Sequence, residues 1–440
     1  MDYTSFQRGP RSDPANYRPV SLTCISCKLL EHILCTHIRS HLDRHNILTP
    51  CNHGFRSRHS CETQLLLTTH DIINRRETSK QVDVAILDLS KAFDTVPHKR
   101  LLNKLTLYGI NGNIHRWISS FLTHRRQQVV IDGAQSSEES VLSGVPQGTV
   151  LGPLLFLLHL NDLPSVLDPG TVCRLFADDC LLYRNIRSIA DQLQLQQDLL
   201  NLEKWAANWG MKFNAKKCYI MTVHRSKAPP LTHFYQLCDS FLASANEEKY
   251  LGVIISDDMS WAPHIESVTT AASQKLGFLA RNLKGCPSEL KKTAYQAIVR
   301  SSLEYASPIW DPHQANHKAA LEGVQRRAAR WICNNYSRRE SVTQMLQALN
   351  LEPLEERRRQ ARLILLYKIL NGAVAVPPDE LGIHQNPRAT RGLSTKMKLL
   401  VPSCTTTAKS THFVARTIPQ WNQLPDTTTP ADLLLLLNLS

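Results

Sequence analysis

The sequence predicts an α+β core followed by an all-helical, basic second part, and three observations carry that prediction. The run Val82-Asp-Val-Ala-Ile-Leu-Asp88 is β-branched and nearly all apolar, as a strand buried on both faces would be. Strand-like and helix-like patterns alternate around it as far as about residue 256. From about Trp261 the pattern turns helical and carries the arginine-rich patches QRRAARW, SRRES and EERRRQAR. Mixed elements first and helices afterwards fit an α+β domain joined to an α domain.

Composition sets the bounds. A chain of 440 residues is long enough for two or three domains with a large core. Apolar residues make up 42% and charged residues 20%, which excludes a disordered class. The net charge of +13 suits a polyanionic partner, although a basic soluble protein without one carries the same charge. Twelve scattered cysteines with no signal-peptide pattern point to reduced thiols in cytosol or nucleus. One CxxC, Cys24-Ile-Ser-Cys27, lies inside an amphipathic pattern with no second CxxC to pair with, so no structural zinc is expected. The longest apolar runs, such as LLFLL and LLLLL, are too short to span a bilayer, and no membrane partner is expected.

Taken in order, SDPANYRPVSL holds two prolines beside Asn16 and Ser12 and reads as loop. Leu22, Ile25, Leu29, Leu30, Ile33, Ile38 and Leu42 predict a helix over about 22–42, then a polar turn through Thr49, Pro50, Asn52 and Gly54. Ser60 is positioned to cap a second helix reaching Arg76. Beyond the 82–88 strand, Pro97 opens a helix, and Gln128-Val-Val-Ile-Asp-Gly reads as a strand ending in an Asp-Gly turn. VLSGVPQGTVLGPLLFLLHLNDLP joins a Gly/Pro loop to an apolar helix, and CRLFADDCLLYR reads as two short strands meeting at the aspartate pair. Residues 188–209 form a helix pattern with Trp205 and Trp209. KFNAKKCYIMTV then reads as a short strand pair and EEKYLGVIIS as one more strand. The end, from about Pro377, is Thr- and Pro-rich and weakly patterned.

The chemistry centres on Phe176-Ala-Asp-Asp-Cys180, where two carboxylates interrupt an apolar run. An isolated Asp-Asp is ordinarily a solvated hairpin turn. A second acid changes the balance, because Asp88 closes another buried strand. If the two strands are neighbours, Asp88 and Asp178 converge as hard oxygen ligands of the kind Mg²⁺ prefers. Two such ions support in-line phosphoryl transfer by stabilising the attacking and leaving oxygens.

These residues carry a family resemblance. DLSKAFDTVPHKRLLNKL (88–105), SGVPQGTVLGPLLFLLHLNDLP (143–164) and FADD (176–179) resemble the successive palm motifs of reverse transcriptases, in the variety of non-LTR (LINE-type) retrotransposons. NYRPVSL (16–22), HGFRSRHS (53–60), WGMKFNAKKC (209–218) and KYLGV (249–253) match the remaining blocks in order. The match covers about residues 5–255, and LEYASPIWDP (303–312) resembles the family's thumb-side sequence. The resemblance implies a right-hand polymerase fold. Fingers and palm would occupy 1–256, a helical thumb-like domain 257–345, and a basic helical then Thr/Pro-rich C-terminal region 346–440.

It also implies roles. Asp88 and Asp178 would hold two Mg²⁺ ions, with Asp179 beside them and the Leu89 carbonyl completing a metal position. Phe93 would pack against the sugar C2′ and reject a ribose 2′-OH, the alternative being plain core packing. Gln147 and Gly148 would lie against the incoming nucleotide, glycine letting backbone approach a base pair. Arg18, and Arg8 in place of a usual lysine, would reach the triphosphate. Lys217 would protonate the leaving pyrophosphate, and Tyr250-Leu251-Gly252 would grip the primer. The implied partners are an RNA template, a DNA primer and dNTPs, in the nucleus or a cytoplasmic ribonucleoprotein. Gln7-Arg8-Gly9-Pro10 departs from the family's pattern, and His159 replaces an aromatic residue and reads as a packed helix histidine. The chain starts almost on the first motif and reads as a fragment lacking the endonuclease of full elements. The competing expectation is a catalytically silent relic or repurposed nucleic-acid-binding protein. The arginine patches at 326–330, 338–339 and 357–362 fit either phosphate contacts or Glu–Arg pairs on solvated helices.

Overall fold

The computed structural model describes residues 2–6, 17–79, 81–128, 130–131, 134–225, 229–386, 398–404 and 406–425. It divides into two compact units. The first comprises 1–57, 81–222 and 226–245, and the second 58–80, 223–225 and 246–440. The helix expected from Ser60, observed as Cys61–Ser79, therefore belongs with the later part of the chain, and the long boundary falls at 245/246.

At the centre of the first unit is a five-stranded sheet ordered Ala243–Ser244, Tyr219–His224, Gln81–Asp88, Asp179–Asn185 and Thr171–Phe176. Gln81–Asp88 is central, as its apolar run predicts, and Val82, Val84 and Ala85 are fully buried. Its one early acid, Asp83, is also buried but accepts hydrogen bonds from Tyr235 Oη (2.7 Å), Gln81 Nε2 (2.9 Å) and Thr222 Oγ1 (3.1 Å). The Thr171–Phe176 and Asp179–Asn185 strands form the expected antiparallel hairpin. Helix Gly152–Leu160 is apolar all round and buried along its whole length, which makes it the core of the unit.

The helix expected over 22–42 spans Ile25–Arg44, but its first half faces the other way. Ile25, Leu29 and Ile33 are exposed, whereas Glu31, Cys35, Ile38 and Leu42 are buried. The Glu31 carboxylate decides this. Its Oε2 accepts the backbone N–H groups of Val150 (2.8 Å) and Leu151 (2.9 Å), ahead of the buried helix Gly152–Leu160. A partnered buried carboxylate fixes helix phase more strictly than exchangeable apolar contacts. Cys24 caps this helix by accepting from Cys27 N (3.4 Å), and all twelve cysteines are unbridged.

Other differences are local. KFNAKKCYIMTV forms a 3₁₀ turn, Ala215–Lys217, and a single strand, Tyr219–His224, because Phe213 pairs with Leu89 rather than within its own segment. EEKYLGVIIS is a hairpin of Glu247–Tyr250 and Val253–Ser256 rather than one strand. Leu251 (φ 46°) and Gly252 (φ 86°) both lie in the left-handed region, as a two-residue type I′ turn requires. The 128–133 strand is Val130–Ile131 paired with Ala134–Gln135, while Asp132 and Gly133 lie outside the described residues.

Apart from the hairpin of Glu247–Tyr250 and Val253–Ser256, the second unit is mainly helical, including Ala262–Asn282, Ala315–Ile332 and Leu354–Leu370, and a helix at Phe413–Gln423 falls inside the weakly patterned end. Its arginine patches divide. Arg326, Arg327, Arg338 and Arg339 are exposed. The 357–362 patch is consumed in ion pairs: Arg357 with Glu304, Arg359 with Glu356 (2.6 Å), and Arg358 (2.8 Å) and Arg362 (3.0 Å) with Asp311. Arg416, on the last helix, reaches the same carboxylate at 3.0 Å. Asp311, Arg358 and Arg362 are buried, so this patch is structural.

Asp311→Ala should destabilise the second unit by about 3–5 kcal/mol, because it strands buried guanidinium groups without their partner. Urea unfolding followed by tryptophan fluorescence reads the loss. A pH effect follows from histidines that burial holds neutral: His159 and His412 are lowered to about 3, and His70 and His264 to about 4, from 6.5. Below about pH 6.5 the unfolded chain takes up protons that the folded one refuses, so stability falls as pH falls toward 4. The thermal midpoint should drop over that window, and His159→Phe should flatten the drop.

Candidate active site

The site begins with strand register. Asp88, the last residue of Gln81–Asp88, pairs directly with Asp179 on the neighbouring strand. Phe176 pairs with Asp179 across the adjoining hairpin, so Ala177 and Asp178 are its two turn residues. Three carboxylates from two distant parts of the sequence therefore meet at one end of the sheet. Crowding and burial, then the negative charges of Asp178 and Asp88, push the Asp179 carboxyl up to about 6. The surface of Asp179 nevertheless remains open to solvent, so the proton it retains at mild acidity is exchangeable.

A brace that the motif reading did not assign holds this turn. Asn52 Oδ1 accepts from the backbone N–H of Gly54 (3.0 Å) and of Ala177 (3.2 Å). His53 N donates to Leu175 O (2.9 Å), and Leu175 N donates to Cys51 O (2.8 Å). A Cβ at Gly54 would sit 2.4 Å from Ala177 N, so only glycine allows this approach. Ala177 itself is left-handed (φ 55°), a conformation that costs energy for a residue with a Cβ. The fully buried Asn52 was legible only as a turn residue, because its partner lies 125 positions away.

Asp88 and Asp178 line a cavity of about 680 Å³ together with Leu89, Phe93, Gln147 and Lys217. Six residues singled out by sequence thus share one cavity. The backbone of 212–214 arranges part of it, with Asn214 N donating to Asp88 O and Ser90 N to Lys212 O, both at 2.8 Å. This holds Lys217, whose Nζ is 3.7 Å from Asp88 Oδ2, a long ion pair between partly exposed groups. Phe93 stacks on Phe156 with centroids 4.1 Å apart, so one face packs in the core while the residue lines the cavity. Gln147 Nε2 donates to Asp94 Oδ1 (2.7 Å), and Gln147 O accepts from Ser21 N (2.7 Å). Gly148 (φ 85°) lies against Val20 and Ser21, where a Cβ would be 3.0 Å from Val20 Cγ1.

Arg18 is on strand Tyr17–Ser21, but its side chain and all of Arg8 lie outside what is described. Tyr250, Leu251 and Gly252 belong to the second unit. There Gln64 Nε2 donates to Tyr250 Oη (3.3 Å), and Tyr305 Oη donates to Leu251 O (2.8 Å). Tyr305 comes from the LEYASP stretch, which thereby supports the turn.

Among the described residues no group of three or more His, Cys, Asp or Glu side chains is arranged to hold a metal. Mg²⁺ in phosphoryl-transfer sites commonly takes one or two carboxylates and completes its shell with water and substrate phosphates. The oxygen donors of Asp88 and Asp178 fit that demand.

A sequence model of the family described as reverse transcriptase (RNA-dependent DNA polymerase) matches residues 9–255. The chain belongs to the reverse transcriptase family. The probable RNA-directed DNA polymerase from transposon X-element of Drosophila melanogaster is 28% identical over 335 residues, covering 73% of this chain and 36% of that protein. The RNA-directed DNA polymerase from mobile element jockey of Drosophila funebris is 27% identical, with the same coverage of 73% and 36%. The chain thus spans little more than a third of the length of these relatives. Among solved structures, telomerase from Candida tropicalis in complex with a fragment of telomeric RNA aligns with a TM-score of 0.40 at 12% identity, covering 73% of this chain and 56% of that one. The α+β polymerase class and the non-LTR retrotransposon kinship expected from the motifs both hold.

Asn52→Ala should cost about 1–3 kcal/mol by leaving two buried backbone donors without an acceptor. Hydrogen exchange should then speed up selectively in the peptide spanning 175–180.

Proposed function

We propose that this reverse transcriptase adds dNTPs to a DNA 3′-OH on an RNA template. The observation that carries the reading is the shared cavity of Asp88, Asp178, Phe93, Gln147 and Lys217. Asp88 and Asp178 are assigned as ligands of two Mg²⁺ ions, with the Leu89 carbonyl as a further donor and Asp179 in support. Bound there, the ions would stabilise the attacking and leaving oxygens of an in-line displacement. The 3′-oxygen bonds to the α-phosphorus as the α–β bridge breaks; the hydroxyl proton is lost and pyrophosphate leaves.

The chain's own residues shape that step. Phe93, held by its stack on Phe156, is assigned as the steric barrier to a 2′-OH. Gln147 and Gly148 form the surface against the new base pair, their loop pinned through Ser21. Lys217 is assigned as the proton donor to pyrophosphate, and its Nζ lies beside Asp88 at the reacting end of the cavity. Arg8 and Arg18 are assigned to the triphosphate, and Tyr250-Leu251-Gly252 to the primer. The natural setting would be the nucleus or a cytoplasmic ribonucleoprotein.

Primer extension on an RNA template with Mg²⁺ tests the reading. Asp88→Ala and Asp178→Ala should each abolish extension while leaving RNA binding intact. Wild type extending no better than Asp178→Ala, with salt-sensitive RNA binding in both, would instead identify a silent nucleic-acid binder. Phe93→Ala should raise rNTP incorporation relative to dNTP by about tenfold or more, the scale of a lost steric contact in a tight pocket.

A further inference from the structure

The motifs do not account for one cation in the cavity. Arg125 lies on the segment after helix Gly112–Leu122, outside every block that carries the family resemblance, yet it lines the same cavity as Asp88 and Asp178. Its placement is built. The guanidinium donates from Nη2 to Ser21 Oγ (3.0 Å), and its backbone carbonyl accepts from Val141 N (2.9 Å). Ser21 N in turn donates to Gln147 O (2.7 Å), so Arg125 is tied to the loop assigned to the nucleotide.

Charge balance gives this cation work to do. A dNTP brings about four negative charges to a cavity that already holds Asp88, Asp178 and Asp94. Two divalent ions offset part of that total, and fixed cations, Arg8 and Arg18 as assigned above among them, must offset the remainder. Lys217 is drawn toward Asp88, and Lys91 is exposed. Arg125 is half-buried, where charge is screened less, and its planar fork matches phosphate oxygens two at a time.

We propose that Arg125 contacts the polyphosphate of the incoming nucleotide and is a substrate-positioning residue of this active site. The inference rests on the polymerase reading for its substrate, but the binding chemistry is that of an inorganic polyphosphate. It also explains why an arginine, rather than a smaller donor, is fastened to Ser21 at the cavity wall.

The test uses the full chain with Arg125→Ala, Arg125→Lys and Ser21→Ala. Arg125→Ala should raise KM for dNTPs, and for pyrophosphate in the reverse reaction, by about tenfold or more, as loss of a charged hydrogen bond does. Affinity for primer–template should stay at the wild-type value. Arg125→Lys, which keeps the charge and loses the fork, should fall between, and it reports even if the alanine variant fails to fold. Ser21→Ala should have the smaller effect, because the guanidinium remains. Titration calorimetry with inorganic tripolyphosphate and Mg²⁺, without primer–template, should show weaker binding by Arg125→Ala and Arg125→Lys. If wild type extends no primer but this difference persists, the polymerase reading fails and the polyphosphate contact stands. If wild type extends while Arg125→Lys binds tripolyphosphate and dNTPs as wild type does, the contact is overturned. Equal KM effects in Ser21→Ala and Arg125→Ala, with unchanged tripolyphosphate binding, would also overturn it and leave Arg125 as a strut.

Discussion

The direct pairing of Asp88 with Asp179 across two central strands is the constraint on which the site depends. A one-residue slip would exchange the two faces of Gln81–Asp88 and carry the buried Asp83 away from Tyr235 and Thr222. The apolar burial of that strand therefore also fixes which carboxylates meet at its end. The energy that sets the register comes from Val82, Val84, Ala85 and Leu87. The strained, charge-crowded turn at Ala177 and Asp178 is carried by that register and by the Asn52–Gly54 brace.

The same logic of buried polar groups with fixed partners recurs away from the acids. Glu31 orients the first long helix by accepting two backbone donors ahead of the core helix. Lys104 is buried against Trp209 and paired with Asp162, joining helix His98–Leu107 to helix Ile189–Trp209. In the second unit Asp311 gathers three arginines from two helices. Each such group costs free energy to desolvate and is tolerated only in one geometry. These contacts specify position more than they add stability.

Much of the fold and most of the candidate site were legible in the sequence. Strand Gln81–Asp88, the aspartate hairpin and helix Ile189–Trp209 follow from residue patterning, and in the folded chain Ser188 and Asp191 close the helix start with a reciprocal cap. Asp88, Asp178, Phe93, Gln147 and Lys217 were recognisable from motif blocks, and they share one cavity. The misreadings have local causes. KYLGV looked continuous because Leu251 takes a left-handed turn position that leucine rarely adopts. The exposed Ile25, Leu29 and Ile33 looked like a core face because apolar spacing does not say which face finds a partner. The 357–362 arginines looked equally suited to phosphate or carboxylate, because Asp311 and Glu304 are remote in sequence.

The sequence by itself determined the family and the candidate residues: the acids, the aromatic residue and the glycines of its motif blocks. Those features are local, set by residue type and short-range spacing, and they survive in one dimension. Tertiary structure alone decided what braces and surrounds them. Asn52 reaches Ala177 across 125 positions, Glu31 reaches Leu151 across 120, and Arg125 reaches Ser21 across 104. Hydrogen-bond partnership at such separations depends on where the folded backbone brings two groups together, and no spacing along the chain records it.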